Sequence, residues 1–104
     1  MTLQVTCGYA SGSATISNAA KGIDHVDFGF TAEELAQAER ARFSAGDDSV
    51  RYTKDGTTPT DTIGHPVVQD AQPTVISGNR DVIRLDFIRI TTDAVLYVEL
   101  EKFS

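Results

Sequence analysis

The side chains best suited to chemistry lie in residues 51–66 and just beyond, where Asp61 and His65 are followed by Asp70. A histidine oriented by a carboxylate can act as a general base toward a hydroxyl nucleophile, and the same three side chains are of types that bind metals. The candidate nucleophiles are the threonines of residues 57–62, and none lies in a turn typical of an activated hydroxyl. The flanking glycine and proline fit a turn. We therefore expect a loop here and no catalytic or metal site.

The other candidate sites have weaker patterns. His25 lies between two aspartates, but the second of the two histidines is forty residues away, a spacing with no specificity for a metal. Asp47, Asp48 and Asp55 lack the alternating oxygen ligands and final glutamate of a calcium loop, so we expect them to form turns. With three tyrosines and no tryptophan, a sugar-stacking platform is not expected. We expect no enzyme activity, no cofactor and no metal.

Composition indicates one globular domain of 104 residues, with 40% hydrophobic and 23% charged residues. The net charge is −6 and the nine basic residues are scattered, which argues against binding to nucleic acid or to an anionic membrane. The single cysteine, Cys7, excludes an internal disulfide, and we expect it to be buried on a strand. We expect no signal peptide and no membrane-spanning apolar run, and therefore synthesis in a cytoplasm.

The N-terminal forty residues alternate in polarity as short strands do. One set of inward positions is Leu3, Val5, Cys7 and Tyr9. A break is expected at Gly8 and residues 11–12, followed by a second strand with Ala14 and Ile16 inward. Residues 18–22 are expected to form a turn. The alternation of Val26, Phe28 and Phe30 predicts a third strand.

A short helix is predicted over residues 31–38. Thr31 is a good N-cap residue, and Glu34 follows at the spacing of a capping box. Phe30 and Leu35 occupy the two positions of a hydrophobic staple, which would fix the angle at which the chain enters the helix. Beyond Ala38 the pattern returns to a period of two, so the helix should end there.

The remaining chain is predicted to contain only strands and turns. Ala41 and Phe43 point inward, and a turn is expected at residues 46–48. Val50 and Tyr52 should then point inward, and a long loop is expected over residues 54–66. The outward positions of the predicted strands include Arg40, Arg42, Ser44, Arg51, Thr53, Val95, Tyr97, Glu99 and Glu101.

Further signals concern the C-terminal third. Pro73 should confine residues 72–76 to a sheet edge, and residues 77–81 should turn. Residues 83–90 are predicted to be a strand whose apolar parity changes after Phe87, through a β-bulge or through burial on both faces. The final strand has four inward residues: Ala94, Leu96, Val98 and Leu100.

Seven or eight short strands with one short helix predict a mainly β fold, a single β-sandwich or jelly-roll-like domain. Small sandwiches have open edge strands. The outward Val95 and Tyr97 are more apolar than a solvated face requires, which points to a partner subunit.

Residues 41–100 carry a series of motifs in a fixed order. They are Ala41-Arg42-Phe43, Val50-Arg51-Tyr52, Asp55-Gly56-Thr57-Thr58-Pro59-Thr60, Gly64-His65-Pro66, Ile83-Arg84-Leu85-Asp86-Phe87-Ile88-Arg89-Ile90 and Ala94-Val95-Leu96-Tyr97-Val98. In these motifs and their order, the chain resembles a group of small tailed-bacteriophage virion proteins. The resemblance covers a little over half of the chain and implies a structural component of the particle, without catalytic residues.

The acidic charge favours an outer position on such a particle, away from packaged DNA. We expect a capsid decoration or cement protein that binds the major capsid protein or another virion protein and forms dimers or trimers. The alternatives are a tail, neck or baseplate protein, or a host-surface carbohydrate-binding module. The residues expected at the interface are Thr57, Thr58, Pro59, Thr60, Asp61, Thr62, Ile63, Val95 and Tyr97.

Overall fold

A computed structural model describes the backbone of residues 6–103 and the side chains of residues 9–102. Within this range the strands are β1 (Thr6–Ile16), β2 (Lys21–Gly22), β3 (Arg40–Ala45), β4 (Val50–Thr53), β5 (His65–Val67), β6 (Thr74–Ser77), β7 (Asp86–Arg89) and β8 (Ala94–Phe103). The helices are α1 (Ala32–Gln37), α2 (Asn79–Val82) and a 3₁₀ turn (Val26–Phe28). The expectations for Leu3, Val5 and the Cys7 side chain lie outside the described residues.

The strands form two antiparallel sheets of four strands each. The first sheet has the order β1-β8-β3-β6, and the second has the order β2-β7-β4-β5. The prediction of a mainly β fold is confirmed. Because β8 pairs with both β1 and β3, the C-terminal strand lies in the interior of the first sheet.

Aromatic side chains join the two sheets in one hydrophobic core. Phe43 of β3 meets Tyr52 of β4 and Phe87 of β7, with ring centroids 5.1 and 5.2 Å apart and interplanar angles of 75° and 77°. Such edge-to-face contacts each add about 0.5 to 1.5 kcal/mol beyond the burial of their area. These aromatic contacts therefore connect β3 of the first sheet to β4 and β7 of the second.

The predicted alternation of the central strands is confirmed. Ala41 and Phe43 of β3 are buried, as are Val50 and Tyr52 of β4. The four inward residues predicted for the final strand are also buried. The segment after Pro73 forms β6, which is an edge strand as expected.

The predicted helix is confirmed as α1, with Thr31 as its N-cap. The Glu34 N–H donates to Thr31 Oγ1 at 3.1 Å, and the Thr31 N–H donates to Glu34 Oε1 at 2.9 Å. This reciprocal pair is a capping box, which satisfies two backbone N–H groups that have no partner within the helix.

Three expectations for the N-terminal region were wrong in whole or in part. The strand β1 runs through Gly8 and residues 11–12 without ending, and the break in alternation expected at Gly8 occurs as a register shift between Gly8 and Ala10. Residues 18–22 contain the short strand β2 as well as a bend. The third strand is a 3₁₀ turn in which Phe28 is buried, whereas Val26 is 83% exposed. Gly12 permits this packing, because a Cβ there would clash with the Phe28 carbonyl oxygen.

Two expectations for the C-terminal region were also wrong. The predicted loop ends at Gly64, because His65 and the following proline pair with β4 as part of β5. Residues 79–82 form α2 instead of a turn, so the strand predicted from residue 83 begins only at Asp86. In β7 the adjacent Phe87 and Ile88 are both buried, so the change in parity reflects burial on both faces.

Two polar residues predicted to point outward are buried. Glu101 is 5% exposed and accepts a 2.7 Å hydrogen bond from Arg40 Nε across the β3–β8 pair. Thr53 is also buried, and its hydroxyl donates to the Thr57 carbonyl. In both cases a polar partner compensates the loss of water.

Candidate assembly interface

The predicted interface residues divide into two surfaces. Residues 57–63 belong to the connection between β4 and β5 of the second sheet, which we call the contact loop (residues 54–64). Val95 and Tyr97 lie on β8 of the first sheet. The loop residues line a cleft with β7, whereas Tyr97 lines a different cleft on the first sheet. The two surfaces therefore lie on different sheets.

The contact loop begins with a hydrogen-bonded turn. The Thr57 N–H donates to Asp55 Oδ1 at 3.0 Å, and this bond is the main reason why the pKa of the Asp55 carboxyl lies below its ordinary value. Gly56 between them has φ 91°, which a residue with a side chain rarely adopts. Asp55 is thus a turn former, as expected from the sequence.

The tip of the contact loop is a second closed turn. The N–H of Thr60 donates to the Ile63 carbonyl at 3.0 Å, and the Ile63 N–H donates back to the Thr60 carbonyl at 3.3 Å. Thr60 Oγ1 also accepts from the N–H groups of Thr62 and Ile63, at 3.3 and 3.0 Å. These bonds close the tip into a compact turn.

Arg51 of β4 ties the tip to the sheet. Its Nε donates to the Asp61 carbonyl at 3.0 Å, and its Nη1 donates to the Gly64 carbonyl at 3.1 Å. Gly64 has φ 127°, and a Cβ there would lie 3.0 Å from the Tyr52 carbonyl oxygen. The chain can pass this close to β4 because the residue is glycine.

Pro59 is buried inside the protein, in contrast to its neighbours in the loop. Pro59 therefore offers little surface to a neighbouring subunit, in contrast to the interface position expected from the sequence. Thr60 is half-buried, whereas Ile63 is 51% exposed. The other exposed members of the predicted loop interface are Thr57, Thr58, Asp61 and Thr62.

The second surface is centred on Tyr97, which is 53% exposed on the outer face of the first sheet. Its cross-strand neighbours are Ser13 of β1 and Ser44 of β3. A Cβ on Gly46 would lie 3.0 Å from the Tyr97 ring. The ring therefore stands among small residues beside a cleft of about 510 Å³.

Val95 and two charged residues extend the Tyr97 surface. Val95 is half-buried on the same strand, and Glu99 lies opposite Arg42 of β3. Tyrosine and arginine are the residue types most enriched where interfaces bind tightly. The outward positions of the two flanking serines follow from the strand parity of the sequence, whereas the hydrogen bonds of Arg51 to the loop had no sequence signal.

The residues that resembled a catalytic site are not assembled into one. His65 packs its ring on Tyr52, with centroids 5.4 Å apart, and within residues 6–103 it forms no hydrogen bond to Asp61 or Asp70. Asp70 instead has φ 58° and its N–H donates to the Ala45 carbonyl at 3.2 Å. No group of three or more metal-binding side chains occurs in the described part of the chain.

Other titratable side chains have structural partners. His25 caps the 3₁₀ turn by accepting from the Asp27 N–H at 3.0 Å. The Lys21 ammonium donates to Asp27 at 2.6 Å and lowers the pKa of that carboxyl. The Thr92 hydroxyl donates to Asp48 and likewise lowers its pKa, whereas burial raises the pKa of Asp86.

Within the described residues no helix is long and apolar enough to cross a membrane.

Comparison with known proteins identifies no relative of this chain. Searches with protein-family models, among curated proteins and among solved structures found no match to this chain.

Proposed function

We propose that this chain is a non-enzymatic structural component of a bacteriophage particle, a decoration protein on the outer surface of the capsid. The observation that carries the proposal is the contact loop. The same segment bears the most distinctive motif of the resemblance to virion proteins, and its backbone is tied by hydrogen bonds while five of its predicted interface side chains remain exposed.

A loop with these properties suits binding without chemistry. Association loses less conformational entropy when the contact segment is already ordered in the free protein. A decoration protein contacts many copies of one shell protein, so modest contacts suffice when several act together. We further propose that the two sheets form a single β-sandwich, which the shared aromatic core supports.

The charge of the chain supports the outer location. At −6 the protein would be repelled from packaged DNA, whereas the outside of the shell imposes no such penalty. The proposed partner is the major capsid protein, and the proposed site of action is the virion surface.

Cosedimentation with empty shells of the major capsid protein encoded in the same genome tests the proposal. We expect the wild-type protein to pellet with the shells in saturable amounts. Replacing the exposed Ile63 with Asp should weaken binding about tenfold, by removing an apolar contact worth about 1.4 kcal/mol. Val68 is 58% exposed and follows the end of β5 opposite to the contact loop, so Val68→Asp is the control and should bind as wild type.

Two results would contradict the proposal. Absence of saturable shell binding by a folded wild-type protein would remove the capsid location, and binding to purified tails instead would place the protein there. Equal loss in the Ile63 and Val68 variants would show that added charge, and not the contact loop, controls binding.

A further inference from the structure

The two sheets have four edge strands within the described residues, and three of them are short. The edge strand β2 has two residues, and β5 has three residues including Pro66. The edge strand β6 has four residues and directly follows Pro73. Short edges and prolines both limit pairing with another chain. Only β1, with 11 residues, offers a long edge.

The composition of β1 suits pairing with an identical strand. Thr6–Ile16 contains no charged residue and no proline, although the whole chain carries a net charge of −6. Two antiparallel copies of β1 would therefore meet without charge repulsion along the strand. Antiparallel pairing about a two-fold axis is also self-complementary, because each strand offers the other the same pattern of N–H and C=O groups.

The hydrogen bonds around β1 show which part of the edge is free. Lys21 Nζ donates to the Thr15 carbonyl at 2.8 Å, so this carbonyl faces away from β8. Backbone groups of successive strand residues point to opposite edges, so those of Ser13 and Ser11 face the same way as those of Thr15. Lys21 and its partner Asp27 close the edge at Thr15. The free edge extends from there toward Thr6.

We infer that the free edge of β1 pairs antiparallel with β1 of a second copy and forms a two-fold dimer with one continuous sheet. This dimer specifies how the proposed particle protein self-associates, and it rests on that proposed function. Ser11 and Ser13 are exposed and small, so they leave room for a neighbouring strand. The Tyr97 surface would then continue from one subunit toward the junction.

Light scattering during size-exclusion chromatography tests the dimer. We expect the wild-type protein to dimerise, and Ser11→Pro to weaken dimerisation at least about tenfold, because proline removes an N–H aimed at the partner strand. Ser11→Thr keeps that N–H and should dimerise as wild type. Ser44→Lys changes the outer face away from the edge and should also remain dimeric.

Several outcomes would overturn the inference. These are a monomeric wild-type protein, a Ser11→Pro variant that dimerises like Ser11→Thr, or dissociation caused by Ser44→Lys alone, which would indicate packing through the face. If Ser11→Pro fails to fold by circular dichroism, hydrogen exchange of the wild type decides. The Ser11 and Ser13 amides should then exchange more slowly at high than at low protein concentration, and rates independent of concentration would refute the pairing.

The shell-binding assay separates this inference from the proposed function. A wild-type dimer that ignores capsid shells would contradict the function and leave the β1 pairing intact. A wild-type monomer that binds shells would contradict the β1 pairing and leave the proposed function intact.

Discussion

Arg51 is the residue whose replacement tests most directly whether the contact loop is ordered by the fold. Its guanidinium donates to the carbonyls of Asp61 and Gly64, at 3.0 and 3.1 Å. A hydrogen bond to a charged group contributes about 1.5 to 3 kcal/mol when it is well shielded from water. Arg51 is half-buried, so we expect the two bonds together to contribute about 1 to 2 kcal/mol.

Arg51→Met retains the aliphatic part of the side chain and removes both bonds. We expect the free energy of unfolding to fall by about 1 to 2 kcal/mol, which corresponds to a melting temperature lower by about 5 to 10 °C for a domain of this size. Arg80 is exposed and has no hydrogen bond or ion pair among the described residues, so Arg80→Met is the matched control. The free energy of unfolding of Arg80→Met should lie within about 0.5 kcal/mol of the wild-type value.

Hydrogen exchange locates the effect. In Arg51→Met the amides of Thr62 and Ile63 should exchange faster, whereas those of the core strands should change only as far as global stability does. Shell binding should also weaken, since the loop would have to be ordered on contact. An Arg51→Met protein with wild-type stability and unchanged tip amides would show that the loop holds its shape without Arg51.

Three further replacements test the packing and the burial of charge. Asn79 Nδ2 donates to three carbonyls at the C-terminal end of α1, so Asn79→Ala should lower the free energy of unfolding, measured in urea, by about 2 kcal/mol. The control Asn18→Ala, at an exposed position, should leave that free energy unchanged. Gly12→Ala should lower the free energy of unfolding by about 1 to 3 kcal/mol, because its Cβ would meet the Phe28 carbonyl. Burial raises the pKa of Asp86, so the folded state binds its proton more tightly than the unfolded chain, and stability is lost as the pH rises through the folded-state pKa. Asp86→Asn should therefore melt above wild type at neutral pH, and the difference should vanish in acid, where both side chains are uncharged.

Elements determined by local interactions could be predicted from the sequence. The helix α1 depends on Thr31 and Glu34, which are three residues apart and bond to each other's backbone. The strands β3 and β8 alternate because one face of each is buried in the core. In these segments the spacing of residue types in the sequence directly reflects the contacts that form the helix or strand.

Elements determined by distant partners could not be predicted. The helix α2 forms where its first residue, Asn79, reaches the end of α1 across more than forty residues of sequence. The 3₁₀ turn at Val26–Phe28 has apolar residues at a spacing of two, which is also the spacing of a strand. Glu101 is buried because Arg40 lies opposite it on β3. None of these partners can be identified from a single sequence.

The geometry of the contact loop could be predicted only in part from the sequence. The position of the loop followed from its glycine, proline and threonine content. The hydrogen bonds that connect it to β4 did not, because Arg51 contacts residues ten and thirteen positions later. The burial of Pro59 was missed because a proline between threonines has the composition of an exposed turn.

The two proposed surfaces make a joint prediction, since the contact loop lies on the second sheet and the β1 edge on the first. Pairing through β1 would leave both loops of a dimer free, so one dimer could bind two sites on a shell. Linking two binding sites raises the overall affinity without any new contact. Ser11→Pro should therefore weaken shell binding although no loop residue is changed, whereas Ile63→Asp should weaken it without affecting the dimer. If Ser11→Pro is monomeric yet binds shells as tightly as wild type, the two surfaces act independently and the bivalent arrangement is wrong.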